Sequence, residues 1–184
     1  MARRADRYVA LLRGINNVGS RRLLMSDLAA VFQEAGCEDV RTYIASGNVI
    51  YRASAALARR LPALVEAAIA ARYGFESPVL TRTAAEMDAI VGANPYMSEA
   101  AKNHKLVHVA FLRDRPSVAQ VSALDPDRSP PDTFVVKGRE VYLHLPNGVA
   151  RSKLSTMWLD SKLGTVSTSR NWRTVLTLRD MVGK

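Results

Sequence analysis

Thr133-Phe-Val-Val-Lys-Gly-Arg-Glu-Val-Tyr-Leu-His-Leu-Pro-Asn-Gly-Val-Ala-Arg-Ser-Lys153 is the stretch whose reading decides the fold. Two apolar runs rich in β-branched and aromatic residues flank Gly138-Arg139, which predicts a β-hairpin. Pro146-Asn147-Gly148 then makes a polar loop, and Ser152 is the expected N-cap of a helix running to Leu163. Earlier in the chain, Arg41-Thr-Tyr-Ile-Ala-Ser-Gly-Asn-Val-Ile-Tyr-Arg52 reads the same way. It predicts a second hairpin with a two-residue turn at Ser46-Gly47, again followed by a helix. Two hairpin-then-helix stretches imply a duplicated unit.

Working outward, Tyr8 to Arg13 is an expected strand with both faces buried, since apolar residues fill alternate and intervening positions. Ser26 is the expected cap of a helix whose apolar stripe is Leu28, Val31, Phe32 and Ala35, with Gly36 ending it. An Ala-rich helix follows the first hairpin, with Pro62 either opening its main part or kinking it. Pro78 to Thr81 is a fourth strand. Thr83-Ala-Ala-Glu86 is a capping box for a linking helix, and residues 92 to 104 read as loop. The order then repeats: a strand from Lys105 to Leu112, a short helix from Pro116 to Ala123, the opening hairpin, its helix, and a strand from Thr165 to Thr168. Ser169 is the expected cap of a C-terminal helix carrying Trp172. The expectation is an α+β protein of two ferredoxin-like (α-β plait, βαββαβ) halves with antiparallel sheets, plus a linking helix and a C-terminal helix. The halves are placed at residues 1–82 and 104–184, with 83–103 between them.

The chain has 184 residues, of which 48% are hydrophobic and 23% charged, ordinary proportions for a globular protein. One cysteine, Cys37, excludes an internal disulfide and fits a reducing compartment. The apolar run Tyr8 to Leu12 is too short for a signal peptide or a membrane span, so a cytoplasmic protein with no membrane partner is expected. Lys and Arg number 26 against 17 Asp and Glu, a net charge of +9. The excess favours polyanionic or phosphorylated partners, although it is spread along the chain without a run of like charges.

Several motifs are specific: Leu11-Leu-Arg-Gly-Ile-Asn16, Arg41 to Val49, Asn94-Pro-Tyr96, Tyr142-Leu-His-Leu-Pro-Asn-Gly148 and Ser169-Arg-Asn-Trp172. Through them nearly the whole chain resembles the bacterial domain-of-unknown-function family numbered 1697. The resemblance implies two α-β plait halves and no assigned activity. The sequence departs from that family at Asn17, which stands before Val18-Gly19 where the family continues directly from Ile-Asn to Val-Gly.

The βαββαβ order gathers two polar clusters. In the first half, the end of the first strand lies beside the hairpin turn. This brings Arg13, Gly14 and Asn16 to Ser46, Gly47 and Asn48. In the second half, Asn147, Gly148, Arg151, Ser152 and Lys153 lie at the end of the sheet that also receives Ser169, Arg170 and Asn171. A helix start exposes N–H groups that suit an anion, and Arg151, Lys153 and Arg170 add cationic donors. Two readings stand for this cluster: an anion site, or a turn and a cap that only shape the chain. Gly14 and Gly19 have P-loop spacing, but Ser20 stands where the phosphate-reaching lysine is required, which argues against nucleotide hydrolysis. His104 and His108 would be about 13 Å apart on an extended chain, too far to share a metal. His108 is the better candidate for a packed strand residue, and Trp172 for a core anchor. Neither paired carboxylates nor an activated nucleophile is visible. No metal and no cofactor is expected.

The expected function is therefore a binding module for an anionic ligand, a phosphate-bearing small molecule or nucleic acid, at loops between the two halves. The alternatives are an enzyme acting on a phosphorylated or carboxylate small molecule, with the arginines holding the anion, and a structural or partner-binding protein. Whether the chain is an enzyme, and its oligomeric state, stay open at the level of sequence.

Overall fold

Tyr8, Ala10 and Leu12 alternate with Val9 and Leu11 along β1 (Asp6–Leu12), and all five are buried. The structure is a computed structural model, and it describes residues 5–16 and 21–184. The further elements are α1 (Met25–Glu34), β2 (Glu38–Tyr43), β3 (Asn48–Ala53), α2 (Ala55–Tyr73), β4 (Val79–Thr83), α3 (Ala84–Gly92) and α4 (Met97–Lys102). After these come β5 (Val107–Leu112), α5 (Val118–Ser122), β6 (Thr133–Lys137), β7 (Glu140–His144), α6 (Thr156–Leu163), β8 (Ser167–Asn171) and α7 (Trp172–Gly183). Two compact units form, Met1–Asp88 with Leu178–Lys184, and Ala89–Thr177.

Each unit holds one four-stranded antiparallel sheet, ordered β2-β3-β1-β4 in the first and β6-β7-β5-β8 in the second. This is the α+β, ferredoxin-like arrangement in two similar copies. The likeness extends to single bonds. Leu12 N donates to Gly47 O and Leu112 N to Arg139 O, both at 2.8 Å. Val9 pairs with Arg82 across the first sheet, and Val109 with Arg170 across the second.

In the first unit, Tyr8, Ala10, Leu12, Val49, Tyr51 and Val79 form one sheet face, on which the buried stripes of α1 and α2 pack. Tyr51 is the centre of this core, with Tyr8 stacked at 5.5 Å and Phe32 tilted at 5.4 Å between ring centroids. The corresponding face of the second unit carries Ala110, Leu112, Val141 and Leu143 under Trp158, Leu159 and Leu163 of α6. Burying one such aliphatic or aromatic side chain contributes roughly 1.5–3 kcal/mol. These faces therefore determine which way each strand points.

Several local expectations are corrected. The first hairpin turns through four residues, Ile44 to Gly47, rather than two, because Tyr43 pairs with Asn48. The Asn48 amide closes the loop by donating to Tyr43 O and Ser46 Oγ, while Gly47 O is taken by β1. α1 starts after Leu24, so Ser26 lies inside its first turn. α2 begins after Ser54, whose Oγ accepts from Leu57 N, and Pro62 lies within it without ending or opening it. Ser152 is not the cap of α6. Its Oγ is taken by Leu154 N, only two residues ahead, whereas Ser155 Oγ accepts from Trp158 N and opens the helix. Ser169 likewise stays in β8, and Asn171 Oδ1 accepts from Thr174 N at the start of α7. The stretch read as loop contains α4. The capping box at Thr83 and Glu86 forms as expected, each backbone N–H meeting the other's side chain. Among the described residues no helix is long and apolar enough to cross a membrane.

Candidate functional site

The end of β7 determines where the second polar cluster lies. His144 pairs with Val107 and Asn171 with His108, so the segment after β7 and the end of β8 lie at the same end of the sheet, on either side of the start of β5. Leu145 N donates to Leu106 O and extends the pairing by one residue. Pro146 then breaks it, since it has no N–H to offer. Gly148 turns the chain at φ 80°, ψ 160°, a region open essentially to glycine alone. A single 3-10 turn, Val149–Arg151, follows and delivers Arg151, Ser152 and Lys153 to the start of α6.

The loop uses much of its backbone internally. Gly148 N donates to Leu145 O, Arg151 N to Gly148 O, Ser152 N to Val149 O, and Lys153 N to Ser129 Oγ. What the loop presents outward is therefore mainly its side chains. Asn147, Arg151 and Lys153 are exposed, and among the described residues neither Arg151 nor Lys153 has a carboxylate partner. One acid stands behind the loop. Ser129 Oγ, which receives Lys153 N, donates at 2.7 Å to the buried carboxylate of Asp132. The stretch from Asp125 to Asp132 carries only turn signals in sequence, and none of them marks this support for the loop.

Arg170 and Asn171 share that end of the sheet, but only Asn171 is exposed. Arg170 is 9% exposed, and its Nη1 donates to Thr168 Oγ1 and Ser169 O. Burial pushes its guanidinium down to about 10, still charged at neutral pH. Arg82 occupies the matching position of the first unit, still more deeply buried and donating to Thr81 O. The recurrence ties Arg170 to the repeated fold. Asn171 is occupied in capping α7.

The first cluster comes together as a backbone hub. Asn16, at φ 56°, donates from Nδ2 to Leu23 O and Ala45 O and accepts Leu23 N at Oδ1. Asn48 is fully buried and Ser46 Oγ accepts its amide. Arg13 O accepts Ser77 Oγ, while Arg13 N donates to Pro78 O. Asn16, Ser46 and Asn48 thus have their side chains engaged in holding loops. Asn17, Gly19 and Ser20, the remainder of the P-loop-like stretch, lie outside the described residues.

Two of the specific sequence motifs have structural roles. Asn94 Oδ1 accepts Tyr96 N, and the Tyr96 ring lies 5.6 Å from that of His144. Tyr142 donates its hydroxyl to Ile90 O. His108 is buried with Nδ1 lacking a partner among the described residues, and desolvation pushes its pKa down, which favours the neutral ring. Burial pushes the Cys37 thiol up to about 11, which leaves it protonated and a poor nucleophile at neutral pH. Among the described residues no three His, Cys, Asp or Glu side chains are placed to hold a metal ion.

No curated protein sequence matches this one. In fold the chain is similar to a conserved bacterial protein, SP0830 from Streptococcus pneumoniae, with a TM-score of 0.75 at 19% identity. The alignment covers 98% of this chain and 99% of that one. Residues 5–142 match a family described as a protein of unknown function, DUF1697, and with most of its length inside that match the chain belongs to this family.

Proposed function

We propose that the chain is a binding module for a phosphate-bearing ligand, engaged by the loop from Asn147 to Lys153. One observation carries the reading. Arg151 and Lys153 stand exposed on one short loop, and among the described residues neither has a carboxylate to neutralise it. An arginine fork and a lysine point charge are complementary donors for phosphate oxygens. Asn147 adds an amide that both donates and accepts. The net charge of +9 assists encounter with any polyanion. Arg170 supports the sheet edge from inside, and Ser152 shapes the turn between the two cations.

The test is titration of the intact chain with a nucleotide and with a short single-stranded RNA, at low and high salt, read at the backbone amides of residues 147–153 so that binding elsewhere on the chain is not counted. The Arg151→Ala, Lys153→Ala double variant is the comparison, since both side chains are exposed and their loss leaves the core intact. Charge-assisted hydrogen bonds contribute about 1.5–3 kcal/mol each, so the variant is expected to bind at least tenfold more weakly. Equal affinity in the two folded proteins would overturn the reading.

A further inference from the structure

Arg7 and Arg52 face each other directly across β1 and β3. In an antiparallel pair, directly opposite residues project to the same face with Cβ atoms roughly 4.5–5.5 Å apart. Tyr8 points into the core on the other face, which leaves both arginines on the face of Val9 and Ile50. Like charges in this relation repel and destabilise the pair. Arg52 is partly relieved: Nη2 donates to Ala5 O at 3.2 Å and Nη1 lies 3.4 Å from Asp39 Oδ2. Among the described residues Arg7 has no such relief, since its guanidinium meets neither a carboxylate nor a carbonyl.

The same two arginines line a groove of about 370 Å³ together with Ala5, Asp6 and Lys184. They also line a narrower cleft that adds Arg41, Asp39 and Met181. All of these residues belong to the first unit. The groove and the cleft together are thus lined by four cationic side chains and two carboxylate side chains, one of which, Asp39, is already paired with Arg52.

We propose that this groove is a phosphate-binding site of the first unit, separate from the loop of the second. The Arg7 guanidinium supplies a two-pronged donor with no partner among the described residues, Arg52 a second guanidinium held in place by Ala5 and Asp39, and Lys184 a point charge. Two guanidinium groups and an ammonium exceed what a single carboxylate needs and match a dianionic or more highly charged phosphate. The groove exceeds the size of one phosphate group, so it suits a pyrophosphate or a phosphomonoester of a small molecule. Asp6 on the wall is then placed to accept from a ligand hydroxyl. The repulsion between Arg7 and Arg52 is relieved when the anion binds between them.

Inorganic pyrophosphate is the probe, titrated calorimetrically into the intact chain at low ionic strength. Wild type and the Arg151→Ala, Lys153→Ala double variant are both expected to show saturable binding at the groove. Arg7→Ala is expected to lose at least tenfold in affinity, and Arg7→Lys, which keeps the charge without the fork, to lose less. Thermal unfolding gives a second readout. Without pyrophosphate, Arg7→Ala melts no lower than wild type, because it removes a repulsion. With pyrophosphate, wild type rises and Arg7→Ala does not, as ligand binding to the folded state requires. Absent saturable binding by wild type, or equal affinity in Arg7→Ala, would overturn the proposal. Loss of pyrophosphate binding confined to the Arg151→Ala, Lys153→Ala variant would assign it to the loop instead.

Discussion

His108 shows what a single buried side chain contributes. Its pKa lies below the ordinary 6.5 because burial disfavours the imidazolium. The unfolded chain therefore binds a proton more readily than the folded one just below pH 6.5, and stability must fall as the pH drops through that window. His108→Leu removes the titrating group and keeps the site apolar. Chemical denaturation between pH 7 and pH 5 is expected to show wild type losing more stability than the variant. A constant difference between the two across that range would contradict the burial argument. His108 was legible in the sequence as a packed strand residue, because apolar neighbours surround it on both sides. Ser152 was not legible. Ser152 and Ser155 both precede the apolar stripe of α6, and only the backbone direction after Gly148 decides which hydroxyl meets an N–H three residues ahead. Arg170 was misleading for a related reason. A charged residue beside Ser and Asn reads as surface, yet the strand continues through it and buries it.

At the scale of elements, the two hairpins look alike in sequence and differ in their turns. Lys137 pairs with Glu140, so Gly138-Arg139 is a tight two-residue turn. The first hairpin needs four residues, among them Ile44 at φ 47°, an uncommon conformation for a β-branched residue. Sequence could place both hairpins because their apolar runs alternate. It could not distinguish the turns, because the four-residue loop is closed by the Asn48 side chain and by Asn16 from a distant loop. Gly47 sits at φ 80°, and a Cβ there would lie 2.8 Å from both Leu12 Cβ and Ile15 Cδ1. Gly47→Val thus combines backbone strain with overpacking, and is expected to destabilise the chain by about 2–5 kcal/mol. The denaturant midpoint measures it, and an unchanged midpoint would contradict the close packing of the β2–β3 loop against the end of β1.

Over the whole molecule, one arrangement of elements occurs twice, down to matched hydrogen bonds and matched buried arginines at positions 82 and 170. This duplication was the most legible property of the chain, because it depends on the order of periodic segments and not on any one contact. The sites were less legible. The loop from Asn147 to Lys153 is contiguous in sequence and could be singled out. Arg7, Arg41, Arg52 and Lys184 are scattered along the chain, and only strand register and the end of the chain bring Arg7, Arg52 and Lys184 to one groove and Arg41 to the cleft that shares Arg7 and Arg52. A charge excess of nine is thus partly organised into local clusters and partly spread over the surface. The most direct test of the central claim, that the loop after β7 is the ligand contact, is a backbone amide NMR map of the isotope-labelled chain titrated with a short single-stranded RNA at low salt. The account predicts saturable shifts concentrated on residues 147–153, abolished in the Arg151→Ala, Lys153→Ala variant. Shifts that bypass this loop, or that persist unchanged in the variant, would contradict it.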